Sequence, residues 1–565
     1  MPDVADYITE TLVQLGVEYV FGIPGGAIEP MFNALGRARN KITLVTSMHE
    51  CAAGYMAQGY YLKTGKLGVC CVTTGPGVTN LVTSIASANE DNVPLLIISP
   101  QIPLPYFERG GLQESFNRTN TIDLLKSITT YSNIVMHPKQ IFFILRSAIL
   151  RALTERKPVH ISIPSDVLTT KLTYDTISIQ EYILPKYCVD NEYIFRLKDL
   201  LLDAEKIAIL VGRDCVEAAE SIEEFANFIG AYIISTPPGK LCVNAQNPNY
   251  CGVFGLAGHE SAIELLKDPT IDVLLSIGTN HDVFSTNNWS EHLLHHKALV
   301  NICEHIEIES IIRTSKAKLQ LQGNIKQIVQ ALHDALILHK QNLDDGENRV
   351  PLIPRTVNEY PLTYMDNNHL YDSNPIKPQR LFYLLSQLFP TGTVFLSDIG
   401  NSFVWGSHYV QTPLHCYYSS YTFAPMTWAI GTSIGMALAS PNEVYVAFVG
   451  DGAFLMDGFE ISVAQKYKLK IVFVILNDSA YGMVAHGQKL NNAERLGWEL
   501  PTVRFNTIAE CLGLKAYEIN SAEDLKALNI YSAEDLDGPV LLDVNIDKQA
   551  VPPMGVRLIN LNQKN

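Results

Sequence analysis

An alternation of short apolar runs with helical patterns extends along almost the whole chain, and it constrains the fold more than any other feature. Each run is long enough for a buried strand, and examples are LGVCCVTT, PLLIISP, VHISIP, KIAILVG and KIVFVILND. Continuous apolar strands spaced by helices are typical of parallel sheets that carry helices on both faces. The sequence therefore predicts an α/β protein built from doubly wound parallel sheets.

The alternation occurs in three blocks of similar size. A chain of 565 residues is too long for one hydrophobic core. The segment between the second and third blocks is polar and rich in Pro and Asn, as in a linker. We predict a first domain at 1–170, a central domain at 190–340, a linker at 341–375 and a third domain at 376–565.

Charge and hydropathy argue against several classes of protein. The net charge of −16 disfavours nucleic acid as a partner, because phosphate backbones need a basic surface. The sequence has no uninterrupted apolar run of about 18 residues, so we expect no membrane span. The first residues form an acidic amphipathic pattern unlike a secretory signal, and the ten cysteines form no CxxC pair. These features predict a cytoplasmic protein with reduced thiols.

Two apparent strands of the third block end in oxygen ligands. Asp451 follows the run VYVAFVG, and Asn477 ends the run IVFVILN. The spacing between them fits one βαβ unit, so both side chains should reach the same edge of a parallel sheet. A carboxylate and an amide oxygen suit Mg²⁺ or Ca²⁺ and leave positions open for phosphate. The alternative is that Gly450-Asp451-Gly452 is only a strand-ending turn.

The stretch GDGAFLMDGFEISVAQKYKLKIVFVILND resembles the metal–diphosphate motif of thiamine diphosphate enzymes over its whole length. The resemblance implies that Asp451, Asn477 and the carbonyl of Ser479 are ligands of Mg²⁺. It also implies that the third domain binds the diphosphate and places Met426 beneath the bend between the two rings. The cofactor-binding residues implied in this domain are Ile399, Gly400, Asn401, Ser402, Ala424, Met426, Gly450, Asp451, Gly452, Ala453, Asn477, Ser479, Tyr481, Gly482, Met483 and Val484.

A carboxyl group far away in the chain fits the same resemblance. Thiamine diphosphate needs a carboxyl partner for its pyrimidine ring, and HECAAGYMAQGY resembles the family's glutamate helix, with Glu50 as that group. The alternative is that Glu50 only interacts with a helix dipole. The motifs FGIPGGA, GPGVTN and QE narrow the resemblance to acetolactate and acetohydroxyacid synthases. The residues that they imply in the pyrimidine-binding first domain are Gly26, Thr74, Gly77, Asn80 and Gln113.

The sequence departs from that family at several positions. Gly487 stands where a tryptophan is usual, Leu112 where an aromatic residue is common, and Glu29 where an apolar residue is usual. Glu29 is either a proton donor or acceptor near the reaction centre or a solvent-facing residue. FAD is a possible ligand of the central domain, because YCGVFGLAGHESA resembles the FAD-contacting region. However, the stretch LLSIGTNHDVFSTNNW lacks the basic and acidic residues usual after GT.

The resemblance implies a carboligase that decarboxylates a 2-oxo acid, pyruvate by default, and joins the product to a second carbonyl compound. The expected cofactors are thiamine diphosphate and Mg²⁺. The alternative is a decarboxylase that releases an aldehyde, although the first domain lacks an adjacent His-His pair. A binding protein without activity is disfavoured by the presence of Glu50, Asp451 and Asn477. The family also implies a homodimer or homotetramer with its sites at the subunit interface.

Overall fold

The computed structural model describes residues 1–113, 119–174, 182, 190–294, 298–304, 317–344 and 358–554. Within them the chain forms three six-stranded parallel sheets, which confirms the predicted α/β class. The strands are buried along most of their length, because helices cover both faces of each sheet. The described residues include no helix of the length and apolar character that a bilayer span requires.

The first sheet has the strand order β2-β1-β3-β4-β6-β5. Its strands are β1 (Tyr19–Gly22), β2 (Thr43–Thr46), β3 (Gly68–Cys71), β4 (Leu95–Gln101), β5 (Tyr131–Ile134) and β6 (Val159–Pro164). Its α-helices are Val4–Gln14, Glu29–Arg37, Glu50–Thr64, Pro76–Asn80, Val82–Glu90, Thr121–Lys126, Ile141–Glu155 and Ser165–Leu168.

The central sheet has the order β12-β11-β10-β7-β8-β9, the arrangement of a dinucleotide-binding fold. Its strands are β7 (Ile207–Val211), β8 (Tyr232–Ser235), β9 (Tyr250–Val253), β10 (Val273–Ile277), β11 (Ala298–Cys303) and β12 (Leu319–Gln322). Its helices are Asn191–Leu202, Ala219–Ile229, Glu260–Lys267, Glu291–Leu294 and Ile325–Asp344, with 3₁₀ turns at Arg213–Ala218 and Pro238–Cys242.

The third sheet, β14-β13-β15-β16-β18-β17, repeats the strand order of the first. Its strands are β13 (Val394–Ser397), β14 (Tyr417–Ser419), β15 (Tyr445–Gly450), β16 (Ile471–Asn477), β17 (Lys515–Ile519) and β18 (Val540–Asn545). Its helices are Pro378–Leu388, Asn401–Tyr409, Trp428–Ala439, Asp451–Asp457, Ile461–Lys466, Gly482–Leu490, Phe505–Cys511 and Ala522–Lys526.

The first and third domains pack against each other through the helices Glu50–Thr64 and Trp428–Ala439. Glycines bring the two helices close together: a Cβ added at Gly59 would lie 2.1 Å from the carbonyl oxygen of Thr432, and one at Gly435 would lie 1.9 Å from that of Met56. A larger side chain at either position would force the helices apart. This packing places the beginning of the Glu50 helix beside the third domain.

The segment predicted as a linker is partly ordered against the third domain. The helix Ile325–Asp344 extends past residue 340, and residues 345–357 lie outside the described part of the chain. Beyond them, the ring of Tyr364 stacks on that of Tyr409 at 5.3 Å. The domain boundaries drawn from the sequence therefore stay predictions, whereas three separate sheets are observed.

Candidate active site

The register of β15 and β16 brings Asp451 and Asn477 side by side. Gly450 pairs with Leu476, so the two polar residues that follow leave the sheet at one edge. Both are buried. The two carboxylate oxygens of Asp451 accept hydrogen bonds from the backbone amides of Gly452, at 2.7 Å, and Ala480, at 3.3 Å. Burial raises the pKa of Asp451 to about 6, and these amides oppose the rise.

The orientation of the Asn477 amide is fixed by a residue that sequence reasoning missed. Its nitrogen donates to the carbonyl oxygen of Val503 at 3.0 Å and to the Asp543 carboxylate at 2.8 Å. Asp543 in turn accepts from the backbone amide of Phe505. With its nitrogen engaged twice, the Asn477 amide has only its oxygen left to offer a further partner. Asp543 lies in the run PVLLDVNID, where only its pairing with β16 reveals the contact.

A cavity of about 240 Å³ opens above this sheet edge. Most of the third-domain residues implied by the sequence line it: Ile399, Gly400, Asn401, Ser402, Met426, Gly450, Asp451, Gly452, Ala453, Tyr481, Gly482, Met483 and Val484. Ala424, Asn477 and Ser479 lie beside the lining rather than in it. Residues that the sequence did not single out complete the wall: Leu476, Asp478, Ala480 and Ile546.

Glycines shape the cavity in two different ways. A Cβ at Gly400 or Gly450 would meet no atom within 4 Å, so these backbones face open space. A Cβ at Gly452 would lie 2.4 Å from the ring of Tyr481, so only glycine fits there. Ser479 has a φ of 54°, which turns the chain sharply after β16. The cavity therefore offers bare backbone and hard oxygen atoms, a combination that suits a diphosphate held with a divalent cation.

A second group of predicted residues lies together in the first domain. Glu50 begins the helix Glu50–Thr64 and is only 8% exposed. Its Oε2 accepts a hydrogen bond from the amide nitrogen of Asn80 at 2.9 Å. Its Oε1 lies 3.5 Å from where a Cβ at Gly77 would stand. The hydroxyl of Thr74 donates to the backbone oxygen of Gln113 at 3.4 Å. We call this cluster the glutamate half-site.

Two other predicted residues of the first domain line a different feature. Gly26 and Glu29 border a polar groove of about 520 Å³, together with Asn33 and Arg37. Glu29 is the first residue of the helix Glu29–Arg37 rather than a loop residue, and it is exposed. Glu50 does not line this groove, and no described residue of the first domain lines the third-domain cavity. The predicted site residues thus form two separate groups, with Gly26 and Glu29 outside both.

Comparison with known proteins identifies the family to which this pair of half-sites belongs. Three domain models match the chain: the N-terminal TPP binding domain of thiamine pyrophosphate enzymes at 2–121, the central domain at 194–332 and the C-terminal TPP binding domain at 398–544. The chain belongs to the thiamine pyrophosphate enzyme family. The glutamate half-site falls within the first of these matched segments, and Asp451 and Asn477 fall within the third.

Full-length relatives place this thiamine pyrophosphate enzyme more closely. A probable acetolactate synthase large subunit of Methanocaldococcus jannaschii is 29% identical, with 99% of this chain and 95% of the relative aligned. The acetolactate synthase large subunit of Lactococcus lactis is 28% identical over 97% and 93%. That of Cyanidium caldarium is 27% identical over 95% and 92%. The chain is therefore a thiamine diphosphate-dependent, acetolactate synthase-like enzyme.

Asp398 is a further residue of this thiamine pyrophosphate enzyme that the sequence did not single out. It follows β13, is fully buried, and accepts a hydrogen bond from the backbone amide of Thr427 at 2.7 Å. Thr427 and Ala424 both have positive φ angles, 77° and 57°, which non-glycine residues rarely adopt. They flank Met426, which lines the cavity. Asp398 therefore holds the strained segment that presents Met426.

Glu460 connects the third domain to the glutamate half-site of the same chain. Its Oε1 accepts hydrogen bonds from the backbone amides of Met48, at 2.8 Å, and His49, at 2.7 Å. These amides immediately precede Glu50. Burial and the charge of Asp457 raise the pKa of Glu460 to about 8. The stretch quoted for the metal motif contains Glu460, but its partners lie about 410 positions away, beyond the reach of any local pattern.

Proposed function

We propose that the protein is an acetolactate synthase-type carboligase that decarboxylates pyruvate and joins the two-carbon product to a second 2-oxo acid. The observation that carries the proposal is the oxygen-lined cavity at the end of β15 and β16, combined with full-length similarity to acetolactate synthases. Thiamine diphosphate, when bound, supplies the electron sink that makes loss of CO₂ possible. The protein positions the reactants and excludes water.

Mg²⁺ is the proposed partner of the diphosphate. Asp451, the amide oxygen of Asn477 and the carbonyl of Ser479 form a hard oxygen set of the kind that Mg²⁺ prefers. Asp543 supports that assignment, because it binds the amide nitrogen of Asn477 and so leaves the amide oxygen for a cation. Gly400 and Gly450 leave space for phosphate oxygens beside the backbone.

Glu50 is the proposed proton-handling group for the pyrimidine ring. It is buried, and Asn80 holds one carboxylate oxygen, so the other oxygen has a defined direction. A buried carboxyl group at a fixed position can share a proton with a ring nitrogen more effectively than a solvated one. Gln113, Thr74 and Gly77 lie in the same half-site and would line the space around the reacting carbonyl groups.

A second copy of the chain is proposed to bring the two half-sites together, in a homodimer or homotetramer. The reason is that the described residues lining the third-domain cavity all come from one domain, while Glu50 lies elsewhere in the same chain. Apolar side chains that are 43–65% exposed adjoin both half-sites, as expected of a surface covered by a partner. They are Met48, Phe423, Leu455, Met456, Phe459 and Val484.

The reaction is tested by incubating the protein with pyruvate, thiamine diphosphate and Mg²⁺ and identifying the products. Acetolactate, with its breakdown product acetoin, supports the proposal. Free acetaldehyde as the main product would instead establish the alternative decarboxylase.

The role of Glu50 is tested by Glu50→Gln. We expect turnover to fall by about 10²–10⁴-fold, the usual contribution of a positioned proton-transfer group, while cofactor affinity changes little. Glu29→Gln is the matched control, because Glu29 is exposed on the separate groove. Unchanged turnover in Glu50→Gln would refute the role.

A further inference from the structure

The central sheet has a crevice where a dinucleotide would be expected to bind. In this sheet the strand order reverses between the parallel neighbours β7 and β10, and ligands of such folds lie at the carboxyl ends of those two strands. The sequence raised FAD as a possible ligand of this domain. The residues that the structure describes at this crevice do not fit a flavin dinucleotide. We infer that the central domain binds neither FAD nor another dinucleotide, and that its crevice is a closed junction joining all three domains.

Two backbone amides at the crevice that could hold a pyrophosphate are already engaged. The amide of Gly212, directly after β7, donates to the carbonyl oxygen of Ile277 at 2.8 Å. The amide of Asp214 donates to that of Gly278 at 3.1 Å. The loops also touch, since a Cβ at Gly212 would lie 2.1 Å from the Gly278 oxygen. A phosphate would have to displace hydrogen bonds between the two strand ends.

The segment after β7 also lacks the helix terminus that anchors phosphates in dinucleotide folds. Residues Arg213–Ala218 form a 3₁₀ turn, and the α-helix begins only at Ala219. Anion binding in these folds uses the free amides of an α-helix that starts immediately after the first strand. Here that helix starts eight residues after the end of β7 at Val211. Its first turn is therefore displaced from the crevice.

Space and charge lead to the same conclusion. The cavity at the crevice measures about 20 Å³, close to the volume that one water molecule needs, against about 240 Å³ in the third domain. Its lining includes the carboxylates of Glu90, Asp214 and Asp282, which would repel a diphosphate. Among the described lining residues the one arginine is Arg213, which is already paired with Asp91.

Asp91 makes the crevice a junction of three domains. This first-domain carboxylate is 3% exposed and forms an ion pair with Arg213 of the central domain. It also accepts hydrogen bonds from the hydroxyl of Ser420, at 2.6 Å, and the backbone amide of Thr422, at 3.4 Å, both in the third domain. A buried charge satisfied by three partners at once is expensive to separate from them.

The segment that suggested FAD contacts has a structural use instead. His259 accepts from the backbone amide of Val253 at 3.0 Å, and its other ring nitrogen lies 2.9 Å from the backbone oxygen of His408 in the third domain. The His408 ring stacks on that of His259 and contacts the oxygen of Ala257. The polar groups of this segment thus hold the third domain in place.

The first experiment measures flavin in the whole protein. The chain is purified from a flavin-replete host, supplied with thiamine diphosphate and Mg²⁺, and assayed for released flavin. FAD and ADP are then titrated by flavin fluorescence and calorimetry, and activity is compared with and without FAD. We expect less than a tenth of a flavin per subunit, no saturable binding and no activation. Stoichiometric flavin, saturable binding of FAD or ADP, or activation by FAD would each overturn the inference. This readout does not depend on which carbonyl substrates the enzyme uses.

The second experiment tests the junction with a double-mutant cycle. Asp91→Asn and Arg213→Met should each lower the unfolding midpoint, and the double variant should lower it by less than the sum. The exposed pair Asp537→Asn and Lys515→Met is the control, with additive effects near zero. Additive effects of the two substitutions would refute the proposal that Asp91 and Arg213 act together as a junction between the domains. The wild-type flavin assay stands even if one of these variants fails to fold.

Discussion

The third and central domains each place a crevice between two parallel strands, and the two crevices differ in what fills them. Above β15 and β16, backbone and oxygen atoms face a cavity of about 240 Å³. At the ends of β7 and β10, backbone hydrogen bonds join the two loops, and the cavity between them measures only about 20 Å³. The difference shows that space for a ligand at these strand ends depends on whether the loops stay apart, as at Gly450, or touch, as at Gly212. Strand order alone does not decide this.

The carboxylates of the two crevices follow the same distinction. Asp451 is buried with backbone amides around it, so its charge is available to a cation. Asp91 is buried against Arg213 and Ser420, so its charge is used within the protein. The surroundings of Asp451 suit the proposed cation, whereas the contacts of Asp91 stabilise the packing of the three domains.

Exchanging the aspartate after β15 for alanine should produce the largest effect. Asp451→Ala removes a proposed metal ligand, and we expect activity to fall by at least about 100-fold at cofactor levels that saturate the wild type, since even outer-shell partners contribute 10–100-fold. Asp214→Ala alters the corresponding loop of the central domain and should leave activity within about threefold. Steady-state kinetics and cofactor titration measure both. Equal losses of activity in the two variants would contradict the proposed difference between the two crevices.

Two glycine substitutions should distinguish a glycine that leaves space for the cofactor from one that is required for packing. Gly450→Ala adds a methyl group to open space, so the unfolding midpoint of the apoprotein should hold while cofactor affinity falls by about tenfold. Gly212→Ala drives a methyl group against the Gly278 oxygen and should lower the midpoint, because overpacking costs about 1–3 kcal/mol. Thermal unfolding with and without thiamine diphosphate measures both the midpoint of the apoprotein and the effect of the cofactor. A destabilised Gly450→Ala apoprotein would show that this crevice is packed as well.

Periodicity was sufficient to predict the fold class, and the family resemblance carried by short motifs named most of the residues that line the cavity. Apolar strands separated by helices follow from burial on both sheet faces, and the residues around Asp451 and Asn477 lie within two short segments. The residues that were missed, Asp398, Glu460 and Asp543, act through partners distant in sequence. Their roles depend on strand order and on domain packing, which no local spacing encodes.

The central crevice also shows that local sequence patterns do not reveal contacts between distant residues. Its sequence segment suggested a flavin, because local patterns cannot reveal whether backbone amides are already engaged. The hydrogen bonds from Gly212 and Asp214 to β10 are made across about 65 residues and depend on how close the two strands approach. Glu29 is a similar case, since only the fold places it on a groove away from Glu50.

The buried acids beside the third-domain site should make the stability of the apoprotein depend on pH. The pKa of Glu460 is raised to about 8, and that of Asp457 to about 7. The unfolded chain ionises these groups near pH 4, so the folded state binds more protons, and stability falls as pH rises from about 5 to about 8. Glu460→Gln keeps an acceptor for the amides of Met48 and His49 and should flatten the slope. An unchanged slope in unfolding midpoints from about pH 5 to about pH 9 would count against this origin.

The smallest effect is expected at Gly487, where the family resemblance predicts tryptophan. Gly487 lies inside the helix Gly482–Leu490, and a Cβ there would meet no atom within 4 Å. Gly487→Ala should stabilise the protein by about 0.5–1 kcal/mol, because glycine disfavours helix interiors. Gly239→Ala is the contrast in the central domain, where a Cβ would lie 2.1 Å from the Val211 oxygen, and it should destabilise. Denaturant unfolding measures both changes.

If Gly487→Ala and Gly487→Trp leave the preference between small and bulky carbonyl acceptors unchanged, the space at this position does not belong to the acceptor pocket. A shift toward small acceptors in Gly487→Trp alone would assign it there, because only the large ring fills the gap.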